Sequence, residues 1–192
     1  MPNKFSIRKK TENRYGMLVL KAEVHDESVI KYGNISTITT CVILYNNQPY
    51  VDLHFKLEGK EETAFIEAGH FIFPINLKHP KFYINKLGSV IDPSIDIIKN
   101  ANHVLYCCEN WVDVTDGENG IAFIPFDTPL FSIGDQAIYK YKGEYKEEDP
   151  IIYFNAFNNS WGTNFPQWMG GSYVFSPLRP KFISKWKKIR MK

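Results

Sequence analysis

The chain has 192 residues, enough for one well-filled core or a core with a small appendage, and it reads as a single domain. Hydrophobic residues make up 44% and charged residues 23%, a globular balance that excludes a disordered chain. A net charge of +2 is too small to argue for a nucleic-acid partner, and no stretch approaches membrane-spanning length.

The N-terminal "MPNKFSIRKKTENRYG" is too polar to hold the apolar run of a secretory signal, which favours the cytoplasm. Residues 1–14 are read as an extension. From residue 15 the chain turns to strand-like runs. "GMLVLKAEV" comes first, then "STITTCVILY", rich in β-branched residues on both faces. After the turn cluster "NNQP" comes "YVDLHFKLEG", where Val51, Leu53, Phe55 and Leu57 alternate with Asp52, His54, Lys56 and Glu58. That pattern predicts a strand with one wet face, antiparallel to the run before it. "TAFIEAGHFIFPI", "KFYINKL", "NHVLYCCENWVDV", "GIAFIPF", "QAIYKYK", "DPIIYFNAF" and "GSYVFS" continue the theme, with "DGENG" and "KGEYKEEDP" as turn or loop sequences. "DPSIDIIKNAN" has room for a helical turn.

Aromatic residues reach 15%. Many antiparallel runs without intervening helical periodicity predict an all-β sandwich or barrel. The sandwich domain is placed at residues 15–176 and a basic tail at 177–192. In that tail Phe182, Trp186 and Ile189 could share a helical face opposite its lysines, but a final strand with a solvated basic end is the preferred reading.

The stretch "FNNSWGTNFPQWMGG" (157–171) matches neither a strand nor a helix period. It carries Trp161 and Trp168 with three asparagines. As a loop on a rigid scaffold it is a binding surface, in which an outward indole covers the apolar face of a sugar while Asn164 and Gln167 bond its hydroxyls. The alternative is a plug that buries both tryptophans. The candidate carbohydrate-binding residues are therefore Trp161, Asn164, Gln167 and Trp168.

Other chemistry is thinly represented. His25 with Glu27, and Glu67 with His70, are the His/Glu pairs. Glu-x-x-His supplies half of a helical-bundle metal site, and here it falls in a strand-like run, so no metal and no cofactor are expected. Asp92, Asp96, Asp113, Asp116 and Asp127 are glycosidase-type carboxylates without a defined partner, and Asp127 suits a turn. Cys41, Cys107 and Cys108 lack disulfide or zinc spacing and read as small core residues. No nucleophile elbow or phosphate-binding loop occurs.

"YVDLHFKLEGKEET", "EAGHFIFP", "GSVIDPSIDIIKNANH", "DTPLFSIG" and above all "FNNSWGTNFPQWMGGSYVF" together resemble the C-terminal β-sandwich region of bacterial proteins related to glycoside hydrolase family 38, the α-mannosidases. The resemblance spans roughly residues 15–175. It implies a fold like the galactose-mutarotase supersandwich, shortened at its front, behind a zinc-bearing catalytic barrel that this chain lacks. None of the family's catalytic residues carries over, since the His-x-Asp zinc motif is absent. The implied function is a non-catalytic domain that contacts carbohydrate or completes the active site of a separate barrel subunit, and a front-shortened sandwich would self-associate. The alternatives are an independent sugar-active enzyme of mutarotase type, which needs an acid and a base within reach of one ring, and an inactive fragment of a truncated gene.

Overall fold

The computed structural model describes residues 4–136, 141–146, 148–159 and 168–184. In chain order they form β1 (Lys4–Thr11), β2 (Tyr15–Glu23), α1 (Asp26–Tyr32), β3 (Thr37–Tyr45), β4 (Val51–Lys60), β5 (Ala68–Pro74), β6 (Lys81–Lys86), β7 (Ser89–Ile91), β8 (Tyr106–Cys107), β9 (Val112–Thr115), β10 (Asn119–Pro125), β11 (Leu130–Ile133), β12 (Ile151–Asn158) and β13 (Gly171–Ser184). The all-β, antiparallel expectation holds, with the strands in two sheets. Where the sequence reads as one sandwich, the chain divides into two compact units: residues Met1–Gly69 with Phe157–Arg179, and His70–Ala156 with Pro180–Lys192. Each unit is assembled from two separated stretches, so no linker composition marks a boundary.

In the first unit the strand neighbours run β1-β2-β3-β4-β13. Residues 4–11, read from sequence as extension, pair along their whole length with β2, Ile7 facing Leu20 and Phe5 facing Ala22. β2 pairs with β3 and β3 with β4 without a register shift, which aligns Ile7, Leu20, Thr40 and Phe55 in one cross-strand row and Lys9, Leu18, Val42 and Leu53 in the next. Residues directly opposite share a face. The predicted β3–β4 neighbours are therefore found, but the wet face of β4 is not wet throughout. Asp52 is 3% exposed and Lys60 is 5% exposed. Both have found ionic partners that a local alternation cannot reveal.

α1 is a short helix that strand patterning overlooks. His25 caps it, its Nδ1 accepting from the Glu27 amide at 3.3 Å, Asp26 and Glu27 occupy the first turn and Lys31 the last. Gly33 closes it at φ 59°, a left-handed position that favours glycine.

In the second unit the neighbours run β10-β9-β6-β7 and β5-β12-β11-β8. Its core is closed. Val112, Val114, Phe131, Ile152 and Phe154 are completely buried. Phe123 meets Phe73 at 5.1 Å and Phe154 at 5.7 Å between ring centroids, joining strands of the two sheets. The β9–β10 hairpin turns on Asp116, whose carboxylate accepts from the Glu118 and Asn119 amides at 2.9 and 2.8 Å, with Gly117 at φ 96°. "DPSIDIIKNAN" does hold one helical turn, with the Asp96 amide donating to the Asp92 carbonyl at 2.9 Å. The cysteines are free; Cys108 is buried, whereas Cys41 and Cys107 are half-buried and not full core residues.

Candidate functional site

The aromatic loop is best understood from its two ends. Trp161, Asn164 and Gln167 lie outside the described residues, whereas Trp168 is described and 51% exposed, followed by the exposed Met169. At the entry, Asn159 is tied to the 65–67 segment by three bonds. Its side-chain oxygen accepts from the Glu67 amide at 2.7 Å, its Nδ2 donates to the Phe65 carbonyl at 2.6 Å, and its own amide donates to the Glu67 carbonyl at 3.1 Å. The asparagine side chain thus fills backbone groups that would otherwise lack strand partners. At the exit, a Cβ on Gly170 would stand 3.0 Å from Glu62 Cγ and 3.2 Å from the Lys60 carbonyl oxygen. The Tyr173 hydroxyl donates to the Gly170 carbonyl at 3.2 Å. Both loop ends are held against residues 60–67.

That segment is held in turn by Lys60, whose side chain is 2% exposed. Its ammonium donates to the carbonyls of Gly33 at 3.1 Å and Glu61 at 2.5 Å and forms an ion pair with Glu67 Oε1 at 2.7 Å. Three donors meet three acceptors, which is what makes a buried ammonium tolerable. The Thr63 hydroxyl donates to the same Glu67 oxygen at 3.2 Å. Beside this segment Phe65 and Tyr32, 54% and 44% exposed, meet edge-on at 5.5 Å.

A second ionic group sits on the charged side of the same sheet. Arg179 grips Asp52 with two bonds, Nε to Oδ1 at 2.6 Å and Nη2 to Oδ2 at 3.1 Å, and the Tyr45 hydroxyl donates to Oδ2 at 2.9 Å. The guanidinium lies over the Tyr50 ring at 4.4 Å, and Tyr50, Tyr45 and Tyr15 follow one another at centroid spacings of 5.5 and 6.4 Å. Burial pushes the Asp52 carboxyl upward, but the bonds from Arg179 and Tyr45 outweigh it and hold the group below its ordinary range. Its oxygens are committed to structure, so Asp52 is a clamp between strands and not a proton-transfer group.

Glu67 and His70, the Glu-x-x-His pair of the sequence, are each engaged with other residues. Glu67 precedes β5 and serves Lys60. His70 packs edge-on against Tyr153 at 6.1 Å, and burial lowers its pKa. The His25 side chain caps α1, accepting from the Glu27 backbone amide. Asp92 accepts from the Ser94 amide and hydroxyl, and Asp96 accepts from the Asp92 amide, so both carboxylates shape a local turn. Asp127 is exposed in the turn between β10 and β11. Among the described residues no group of three or more His, Cys, Asp or Glu side chains is arranged to hold a metal ion. Also among them, no helix is long and apolar enough to cross a membrane.

No protein-family model matches the sequence, and no curated protein sequence matches it. Solved structures do. The galactose 1-epimerase from Lactobacillus acidophilus NCFM aligns with 95% of this chain and 67% of its own length, at a TM-score of 0.57 and 8% identity. A galactose mutarotase related enzyme from Lactobacillus acidophilus aligns with 97% of this chain and 73% of its own, at 0.49 and 13%. A galactose mutarotase-like protein from Lactobacillus casei ATCC 334 aligns with 93% and 72%, at 0.45 and 14%. The first of these likenesses shows the fold: an antiparallel β-sandwich like that of the galactose 1-epimerase. At such identity the likeness concerns the backbone and carries no catalytic residue with it.

Proposed function

We propose that the chain is a non-catalytic, carbohydrate-contacting β-sandwich whose sugar-facing element is the stretch 160–170. The observation that carries this reading is a half-exposed tryptophan, Trp168, in a stretch whose two ends are fixed to residues 60–67, themselves held by the buried Lys60. A flat aromatic face held in place stacks on the C–H face of a sugar without a large ordering cost. Trp161, Asn164 and Gln167 belong to the same stretch and supply a second indole and the polar groups that hydroxyls require. The mutarotase-like fold suits this role, and the resemblance in "WGTNFPQW" to glycoside hydrolase family 38-related sandwiches favours a chain that works beside a separate α-mannosidase-type barrel. An independent mutarotase activity gains no support from Glu67, whose carboxylate serves Lys60.

Calorimetric titration with methyl α-mannoside, α-linked mannobiose and galactose tests the proposal. Binding of at least one of them, weakened about tenfold by Trp168→Ala through loss of about 1.4 kcal/mol of stacking, is the expected result. Absence of binding to all three, or binding indifferent to Trp168, overturns it. The same preparation is expected to hold no stoichiometric zinc and to leave aryl α-mannosides intact, as metal analysis and a chromogenic assay would check.

A further inference from the structure

The register of β1 to β4 gathers most apolar residues of the four strands on one face of the first unit's sheet, with Met17, Val19, Cys41 and Ile43 on the other. Phe5, Ile7 and Leu44 there are 58%, 58% and 52% exposed, and Leu18, Leu20 and Val42 are half-buried. Lys9, at the rim on β1, is the one charge that the register assigns to this face. The opposite face carries Lys4, Arg8, Lys10, Lys21, Lys56 and Glu58. Solvated sheet faces normally alternate the other way, so an apolar face left this open marks an interface.

We infer that this face docks against the same face of a second copy of the chain. A charge-free face needs a charge-free partner, because a buried unpaired charge opposite it would be costly. A two-fold pairing supplies one automatically, with each Lys9 left at the rim. The dimensions are adequate: four strands about 4.8 Å apart and about 9 residues long cover roughly 19 by 30 Å. That is up to about 600 Å2 on each copy and about 1,200 Å2 in all, less the Leu57 end of β4 that is already buried, at the lower bound of stable interfaces. Two sheets of the same twist pack face to face at about 10 Å. The free edge of β1 is a poorer contact, since antiparallel self-pairing about Ile7 sets Lys4 opposite Lys10.

Sedimentation velocity across a concentration series tests the inference, with Ile7→Glu and Leu44→Glu as face variants and Arg8→Glu as a variant on the other side of β1. The expected result is a dimer for the unaltered chain and for Arg8→Glu, and monomers that still unfold cooperatively for the two face variants. Radical footprinting of the unaltered chain needs no variant to fold, and Phe5 and Leu44 should gain protection as concentration rises. A monomer up to about 100 μM, a dimer that Arg8→Glu breaks while the face variants do not, or unchanged labelling of Phe5 and Leu44 overturns the inference.

Discussion

The two units bury their apolar residues to very different degrees. In the second, Phe82, Val112, Val114, Phe123, Phe131, Ile152 and Phe154 are at most 2% exposed. In the first, the strands are longer but poorer in apolar residues; among the described residues Ile35, Leu57 and Leu178 are its buried hydrophobic ones, and Asp52 and Lys60, paired with Arg179 and Glu67, are sealed to a similar degree. Strand content and core formation are therefore separate matters. The second unit is built around packing. The first keeps its shape with strand ladders and ion pairs, and leaves Phe5, Ile7, Leu44 and Trp168 exposed.

The sharpest way to break this contrast is to cut one large residue from each unit. Phe154 touches the rings of Phe73, Phe123 and Phe131 at 5.9, 5.7 and 5.8 Å, so Phe154→Ala should cost about 3–5 kcal/mol in urea unfolding. Leu20→Ala, on the half-buried face, should cost about 1 kcal/mol in the monomeric chain. Equal losses would remove the distinction between the units.

Next in size is the ionic clamp. Asp52→Ala leaves the guanidinium of Arg179 over Tyr50 without its carboxylate, an expected loss of about 3 kcal/mol at pH 7. Because the folded-state pKa of Asp52 is depressed, its contribution is complete above the ordinary carboxylate range near 4 and is lost as pH falls through the folded value. The gap in urea midpoint between the unaltered chain and Asp52→Ala should therefore narrow from pH 7 to pH 3, and a constant gap would contradict the clamp.

A smaller effect attaches to Gly33. A Cβ there would stand 2.5 Å from Thr63 Cγ2 at a φ of 59°. Gly33→Ala should cost about 1–2 kcal/mol and loosen the carbonyl that Lys60 uses. The smallest effect is chemical. Burial pushes the Cys108 thiol up to about 12, so a thiol reagent at pH 8 should modify the half-buried Cys107 well before Cys108. Equal rates would show that the second unit opens more readily than its core suggests.

Much of the strand content could be read from period alone. β2, β3, β4, β6, β10 and β12 lie within or almost over the apolar runs that announce them, because each strand's pattern is local. For α1 the sequence offers acidic Asp26 and Glu27 at the start and Gly33 at the stop, but a histidine cap and a seven-residue helix without a buried face leave no apolar period to draw notice. Asp52 was misassigned to solvent because its partner lies 127 residues along the chain. Lys60 was missed for the same kind of reason, since its carbonyl acceptors and Glu67 become neighbours through folding alone. At the candidate site, aromatic crowding in a loop pointed to Trp168, while the part played by Asn159 and Gly170 in holding that loop depends on backbone geometry that a sequence does not display.

The measurement that goes most directly to the central claim is indole nuclear magnetic resonance of 15N-labelled chain during titration with the sugar that binds. Trp111, in the second unit, is an internal reference beside Trp168. The account predicts that the Trp168 indole signal, assigned by its loss in Trp168→Phe, shifts saturably while that of Trp111 stays in place. A saturable shift at Trp111 with Trp168 unmoved would contradict it, because the sugar would then be meeting the closed unit and not the anchored loop.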